Sequence, residues 1–214
     1  MKRGIVFVYG NLSDLGQAKK IINKQDCLIA ADGGVKHILK LGLTPNVVIG
    51  DSDSISPSLQ KKLRKYKIEW VKYPVKKDKT DFELVIDYCL GKKFREIIIF
   101  GILGDRIDHM IANILLLAKI QIENKLIKIK IIEVKNEIFI LINEITINGK
   151  IGDEISIIPI SEKLEGVTTE GLYYRLIDDT LFFGSTRGVS NVMNKSTVKI
   201  IISNGVALVE HNSL

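Results

Sequence analysis

The sequence predicts an α/β fold: a doubly wound, mostly parallel sheet with helices on both faces, followed by an all-β sandwich or barrel-like domain. Two observations predict it. Up to about residue 121, apolar runs of strand length alternate with segments of helical periodicity, the pattern of βαβ units around a parallel sheet. Beyond residues 122–128 the helical periodicity stops, and short β-branched runs separated by turn signals take over.

In the first part, strands are expected at residues 5–9, 27–31, 47–50, 68–72 and 96–100, with helices at 15–23, 34–41, 56–65, 82–90 and 108–121. The period changes from 2 to 3.6 at each junction, as where Leu84, Ile86 and Leu90 face away from Glu83 and Asp87. In the second part, strands are expected at 127–134, 137–142, 144–147, 154–160, 172–176, 181–183 and 197–203. Turn signals there include Asn148-Gly149, Glu170-Gly171, Asp178-Asp179 and Asn204-Gly205. With no Pro- or Ser-rich linker, the expected division is residues 1–125 and 126–214.

The 214 residues carry 31 Lys and Arg against 25 Asp and Glu, a formal charge of +6. The densest basic cluster, Lys61 to Lys67, reads as the wet face of a helix whose Leu59 and Leu63 point inward, so nucleic acid is not an expected partner. Cys27 and Cys89 have neither metal-ligand nor disulfide spacing, and read as free thiols in a reducing compartment. Met1 to Gly4 run straight into an apolar strand, too short a stretch for a signal peptide, and no apolar segment reaches spanning length. A cytoplasmic protein is expected.

The chemistry gathers where strands end, which is where open α/β sheets bind ligands. Gly10-Asn11 follows the first strand and Asp32-Gly33-Gly34 the second. Gly50-Asp51-Ser52-Asp53-Ser54 follows the third, and Lys77-Asp78-Lys79-Thr80-Asp81 the fourth. Gly101 through Arg106-Ile107-Asp108-His109 follow the fifth, and Asn113 lies one turn beyond His109. Paired carboxylates at a sheet mouth need a counter-charge, and Mg²⁺ accepts one or two of them together with phosphate oxygens. Asp51, Asp53 and Asp81 are the candidate metal ligands. Gly33-Gly34 at a helix start suit an anion, and Lys77 and Arg106 can neutralise phosphate. These parts suit phosphoryl transfer, although neither a Walker sequence nor a Gly-x-Gly-x-x-Gly fingerprint is present. Simpler readings compete: an Asp/Ser-rich turn with Asp53 or Ser54 capping the next helix, Asp108 as a helix cap, His37 on an exposed helix face, and His211 in a loose tail. Trp70 is expected in the core.

These motifs, with Pro45, Ile155-Ser156-Ile157-Ile158-Pro159, Gly166 to Leu172 and Gly188-Val189-Ser190-Asn191, resemble the thiamine pyrophosphokinase family over nearly the whole chain. The resemblance implies Mg²⁺-dependent transfer of diphosphate from ATP to the hydroxyl of thiamine, by a homodimer whose α/β domain holds ATP and whose β-rich domain binds thiamine. It implies catalytic and metal roles for Asp51, Asp53 and Asp81, and phosphate contact for Arg106. It further implies nucleotide contacts from Asp32, Gly33, Gly34, Lys77, Asp78, Asp108, His109 and Asn113, and thiamine contacts from Ser190 and Asn191. The chain departs from the usual family pattern at Asp105, where many relatives have Gly, at Ser52, commonly aromatic, and at Leu172 to Leu176.

Asp81 or Asp53 is the candidate proton acceptor. Tyr173, Tyr174, Phe182 and Phe183 are candidates for the thiamine cation, with strand core the expected fate of at least half of them. Two other functions compete. A Mg²⁺-dependent nucleotide hydrolase would use the same acids on water but has no need of a second domain. A non-catalytic nucleotide- or nucleic-acid-binding module would rest on the basic charge, and the acidic rim opposes it.

Overall fold

Six runs of four to six residues form the framework of a parallel sheet, the central ones apolar and buried on both faces and the run Glu69–Lys72 a half-exposed edge. The computed structural model describes residues 2–12, 15–51, 53–73, 78–104 and 106–213, so Lys77, Ser52 and Asp105 lie outside the described residues. The chain forms two units, one of residues 1–117 and 126–134, the other of residues 118–125 and 135–214.

In the first unit the order along the chain is β1 (Arg3–Phe7), α1 (Leu15–Ile21), β2 (Cys27–Ala31), α2 (Val35–Lys40), β3 (Val47–Gly50), α3 (Pro57–Leu63), β4 (Glu69–Lys72), α4 (Asp81–Gly91), β5 (Glu96–Phe100), α5 (Ile107–Glu123) and β6 (Lys128–Glu133). The strands pair in parallel in the order β4-β3-β2-β1-β5-β6. Successive strand residues face opposite sides, so both faces need cover. Ile5, Phe7, Leu28, Ala30, Val48, Ile98, Phe100 and Ile132 pack with Val35 and Ile38 of α2 and Leu63 of α3 in one core, with Trp70 partly buried against it. Phe7 and Phe100 stack at its centre, their rings 5.2 Å apart. The α4 helix packs on β2 and β3, burying Phe82, Val85, Ile86 and Cys89.

The Lys128-Ile129-Lys130-Ile131 alternation reads as the start of the β-rich part, yet it forms β6 and joins the parallel sheet. Its lysines occupy exposed or half-exposed positions while Ile129, Ile131 and Ile132 are buried. Neither Asp53 nor Ser54 caps α3. Ser56 does, accepting a hydrogen bond from the Leu59 N–H, with Pro57 in the first turn.

The second unit is a sandwich of antiparallel strands: β7 (Asn136–Leu141), β8 (Glu144–Asn148), β9 (Glu154–Pro159), β10 (Lys163–Glu170), β11 (Asp179–Phe182), β12 (Asn191–Val192), β13 (Thr197–Ile201) and β14 (Ala207–Asn212). One sheet runs β12-β9-β14-β7 and the other β11-β10-β13-β8. Their facing apolar residues, among them Ile147, Ile157, Leu164, Val198, Ile200 and Val209, form one core. Residues 172–176 are not a strand; Leu172 makes only a single bridge, to Met193. β10 was hidden by Gly166, whose positive φ of 64° accompanies a register shift between Leu164 and Val167. His211 does not lie in a loose tail. It is buried in β14, with Nε2 3.0 Å from Asp153 Oδ2.

Gly34 shows how tightly the first unit closes. A Cβ there would lie 2.0 Å from the Phe7 carbonyl oxygen, a backbone atom that cannot swing aside. Gly34→Ala should therefore lower stability by about 3 kcal/mol or more. Urea unfolding measures this, and an unchanged midpoint would refute the close packing.

Candidate functional site

In the first unit the strand order reverses between β1 and β5, because β1 has β2 on one side and β5 on the other. Loops leaving two such strands diverge and open a crevice at their carboxyl ends. Here the crevice is a cleft of about 560 Å³ lined by residues that include Tyr9, Gly10, Asp32, Asp81, Arg106 and Asn113. Its base is backbone against backbone. The Val8 N–H donates to the Phe100 carbonyl at 2.9 Å and the Gly10 N–H to the Gly101 carbonyl at 2.8 Å. Gly10 is required there, since a Cβ would fall 2.4 Å from the Gly101 oxygen and 2.7 Å from that of Leu103.

Three carboxylates converge at the neighbouring strand ends. Asp32, Asp51 and Asp81 each place an oxygen within 4.8 Å of the others. Asp32 follows β2 with a left-handed φ of 41°, a conformation that Asp tolerates and that recurs at functional sites. It is buried, and its Oδ1 has no hydrogen-bond partner among the described residues. Asp51 follows Gly50, whose φ of 142° turns the chain at the end of β3. A Cβ at Gly50 would press on Asp32 Cβ at 3.0 Å and on Asp81 at 3.3 Å, so glycine lets the acids close up. Asp81 opens α4, behind a Thr80 cap. An all-carboxylate set with a buried, unpartnered oxygen suits a hard divalent cation.

The metal trio read from the sequence differs by one member. Asp53, expected beside Asp51 and Asp81, is exposed and stands outside the group, while its backbone N–H donates to Asp51 Oδ1 at 3.0 Å. Residues i and i+2 diverge once the chain turns, and Asp32 from the adjacent strand is nearer. Gly33 and Gly34 are buried behind the cleft: Gly34 packs on β1, and a Cβ at Gly33 would strike the Tyr9 ring at 2.6 Å. Asp78 is exposed and not part of the cleft wall, and neighbouring Lys79 is paired with Glu83 and Asp87 of α4.

Arg106, His109 and Asn113 line the cleft from the start of α5, His109 and Asn113 one turn apart. Asp108 is not the cap of α5, which begins at Ile107. It sits in the first turn and grips the Arg106 guanidinium with both oxygens, at 2.9 and 2.6 Å. Those hydrogen bonds hold the Asp108 carboxyl well below the usual carboxylate range. In the second unit Asn191 is buried and its amide is engaged with backbone: Nδ2 donates to the Tyr174 carbonyl, and Oδ1 accepts from the Tyr174 and Val192 N–H groups. Ser190 is exposed, with its N–H on Ser156 Oγ. None of the four aromatic candidates enters the core; Tyr173, Tyr174, Phe182 and Phe183 are all 61–71% exposed.

Two residues at the site are not evident from sequence reasoning. His37 is buried, not on an exposed helix face. Its partner, the Gly10 carbonyl at 2.9 Å, can only accept, so Nε2 carries the proton. Burial lowers its pKa and keeps the ring neutral. Glu133, at the end of β6, is buried beneath the Gly101–Gly104 loop, and its Oε1 accepts from the Ile102 N–H at 2.9 Å. Burial pushes its carboxyl up to about 7, against the opposing pull of the loop N–H groups. The signal was an acid ending an apolar run, overlooked because that run did not read as a parallel strand.

Residues 18–131 match the family described as thiamin pyrophosphokinase, catalytic domain, and residues 143–207 that described as thiamin pyrophosphokinase, vitamin B1 binding domain. The chain is 34% identical over 182 residues to the thiamine pyrophosphokinase of Bacillus subtilis (strain 168), covering 84% of each chain. Among solved structures it is similar to thiamine pyrophosphokinase from Bacillus subtilis, with a TM-score of 0.89 and 28% identity over 100% of both chains. The thiamin pyrophosphokinase of Geobacillus thermodenitrificans gives a TM-score of 0.85 and 27% identity, covering 100% of this chain and 98% of that one. No helix among the described residues is long and apolar enough to cross a membrane.

Glu133 gives the site a pH signature. Its folded pKa, about 7, lies above the unfolded 4.5, so the fold favours the protonated carboxyl. Its contribution is full below about 4.5 and is lost as pH rises through about 7, a swing of about 3 kcal/mol. Urea unfolding of wild type and Glu133→Gln between pH 4.5 and 7.5 should show wild type losing stability relative to the variant. Parallel profiles would contradict the assignment.

Proposed function

The chain belongs to the thiamin pyrophosphokinase family, and on that basis we propose that it transfers a diphosphate from ATP to the hydroxyl of thiamine, giving thiamine diphosphate and AMP. The observation that carries this reading is the convergence of Asp32, Asp51 and Asp81 beside a cleft that also presents Arg106. Mg²⁺ held by these carboxylates, with Asp53 close by, would neutralise and clamp the phosphate oxygens. The first unit binds ATP and the second thiamine.

Arg106 meets the phosphates with its fork, and Asp108 keeps that guanidinium oriented until the nucleotide arrives. Lys77 and Asp78, which precede α4 in the sequence, are assigned to the nucleotide, Lys77 as a counter-charge to phosphate. Asn113 offers a buried amide to the nucleotide and His109 a ring at the cleft wall. Gly33 and Gly34 support the nucleotide by letting the chain after Asp32 pack close behind it. Asp81, in the cleft wall, accepts the hydroxyl proton as the alcohol oxygen attacks the β-phosphorus and AMP departs; Asp53 is the alternative acceptor. In the second unit Ser190 and Asn191 border the thiamine site, where the exposed Tyr173 and Tyr174 rings, edge to face at 5.0 Å, suit a cationic ring.

Two supporting features concern the assembly and its setting. Ile107, Ile111 and Leu115 form a ridge along α5 at 64, 51 and 53% exposure, and apolar ridges of this kind mark interaction surfaces. We assign it to a homodimer. The unpaired thiols of Cys27 and Cys89 suit the cytoplasm.

A ³¹P NMR time course with ATP, thiamine and Mg²⁺ tests the reaction. Thiamine-dependent AMP together with thiamine diphosphate is the expected result, whereas orthophosphate or pyrophosphate released without thiamine would reveal a hydrolase. Asp51→Asn should fold normally but lose more activity than the roughly 10–100-fold that loss of an outer-shell metal partner costs; near-wild-type turnover would remove Asp51 from the site. Sedimentation should give twice the chain mass, reduced to the monomer by Ile111→Lys. A wild-type monomer would refute the dimer.

A further inference from the structure

Glu133 is a buried carboxylate that the reaction above does not use. We propose that it is the positioning residue of the nucleotide cleft, fixing the Gly101–Gly104 loop and through it the affinity for ATP; this rests on the assignment of ATP to that cleft.

The geometry is two-sided. On one side, Glu133 Oε1 accepts the Ile102 N–H at 2.9 Å and, less closely, the Leu103 N–H at 3.4 Å. On the other, the Gly101 carbonyl accepts the Gly10 N–H at 2.8 Å. The Gly101 oxygen and the Ile102 N–H belong to one peptide group, and in a trans peptide they point in opposite directions. That peptide is therefore held from both ends, by Gly10 and by Glu133. Gly101 adopts a φ of 69°, and a Cβ there would lie 2.5 Å from the Val8 oxygen, so the loop has no side chain of its own to resist a flip at this point.

Gly10, Gly101, Ile102 and Gly104 all line the cleft, whereas Glu133 does not. It acts only through the loop. The arrangement also departs from the glycine loops that cradle phosphate, whose N–H groups face the anion. Here two loop N–H groups are turned onto a protein carboxylate. The loop thus serves as a shaped wall, and charge on the phosphates would be met by Arg106 and by a cation held on the three acids. Without an acceptor at position 133, two N–H groups beneath the loop would lack partners, and reorienting the loop would be the cheapest way to satisfy them.

The test compares wild type, Glu133→Gln, Glu133→Leu and Glu133→Asp by amide hydrogen exchange over residues 101–104, ATP affinity by calorimetry, and the KM for thiamine. Gln keeps an acceptor oxygen of the same reach and should hold ATP affinity within about threefold of wild type, with slow loop exchange. Leu, which has no acceptor, and Asp, one methylene shorter, should each speed exchange at Ile102 and Leu103 and weaken ATP binding by about tenfold or more, leaving the thiamine KM within about twofold. Asp retains the charge and decides the matter should the Leu variant not fold. Wild-type exchange in Leu or Asp, or an equal loss for ATP and thiamine, would overturn the proposal. A wild-type protein that binds no ATP would instead overturn the nucleotide assignment, and the exchange comparison would still decide whether Glu133 sets the loop.

Discussion

Mutual repulsion among three carboxylates is the constraint on which the first unit is arranged. Oxygens within 4.8 Å of one another oppose each other by about 3 kcal/mol per pair at an effective dielectric constant of about 20. A chain governed by stability alone would separate them. Instead, Asp32 takes a left-handed backbone and Gly50 forgoes a side chain so that Asp32 and Asp81 can approach. Strain and repulsion held by a rigid sheet are what a bound divalent cation would relieve.

The sheet supplies that rigidity through its reversal between β1 and β5. Stacked Phe7 and Phe100 lie just below the point where the two backbones meet through Gly10 and Gly101. From there outward the groups are polar but supported. His37 holds the Gly10 carbonyl, Glu133 holds the Ile102 N–H, and Asp108 holds Arg106. Each of these three parts of the cleft wall is backed by a side chain whose own place is set by burial or by a paired charge, as precise positioning requires.

Much of this was legible in the sequence, because periodicity and strand-end composition are local signals. The carboxyl ends of β1, β2, β3 and β5 do share one rim of the parallel sheet, but the change of pattern after α5 comes one strand before the antiparallel structure, because β6 still pairs in parallel with β5. What escaped was non-local. The sequence places Asp51 and Asp53 side by side, but which acid joins Asp51 depends on the parallel pairing that carries β2 next to β3, so Asp32 replaced Asp53. His37 and His211 looked exposed because nothing in their neighbours announces burial; the Gly10 carbonyl and Asp153 that receive them come from 27 and 58 residues away. The exposed aromatics failed in the opposite sense, since alternation predicts the two faces of a strand and residues 172–176 are not one.

The position of β14 bears on how the second unit comes into being during synthesis. It lies between β7 and β9 and pairs with both along its whole length, so those two strands share no ladder without it. The sheet therefore has a gap at its middle until residues 207–212 emerge from the ribosome. Until then the facing backbone edges of β7 and β9 stay unpaired and open to other nascent chains, and that sheet is complete only once β14, made after its neighbours, takes its place between them.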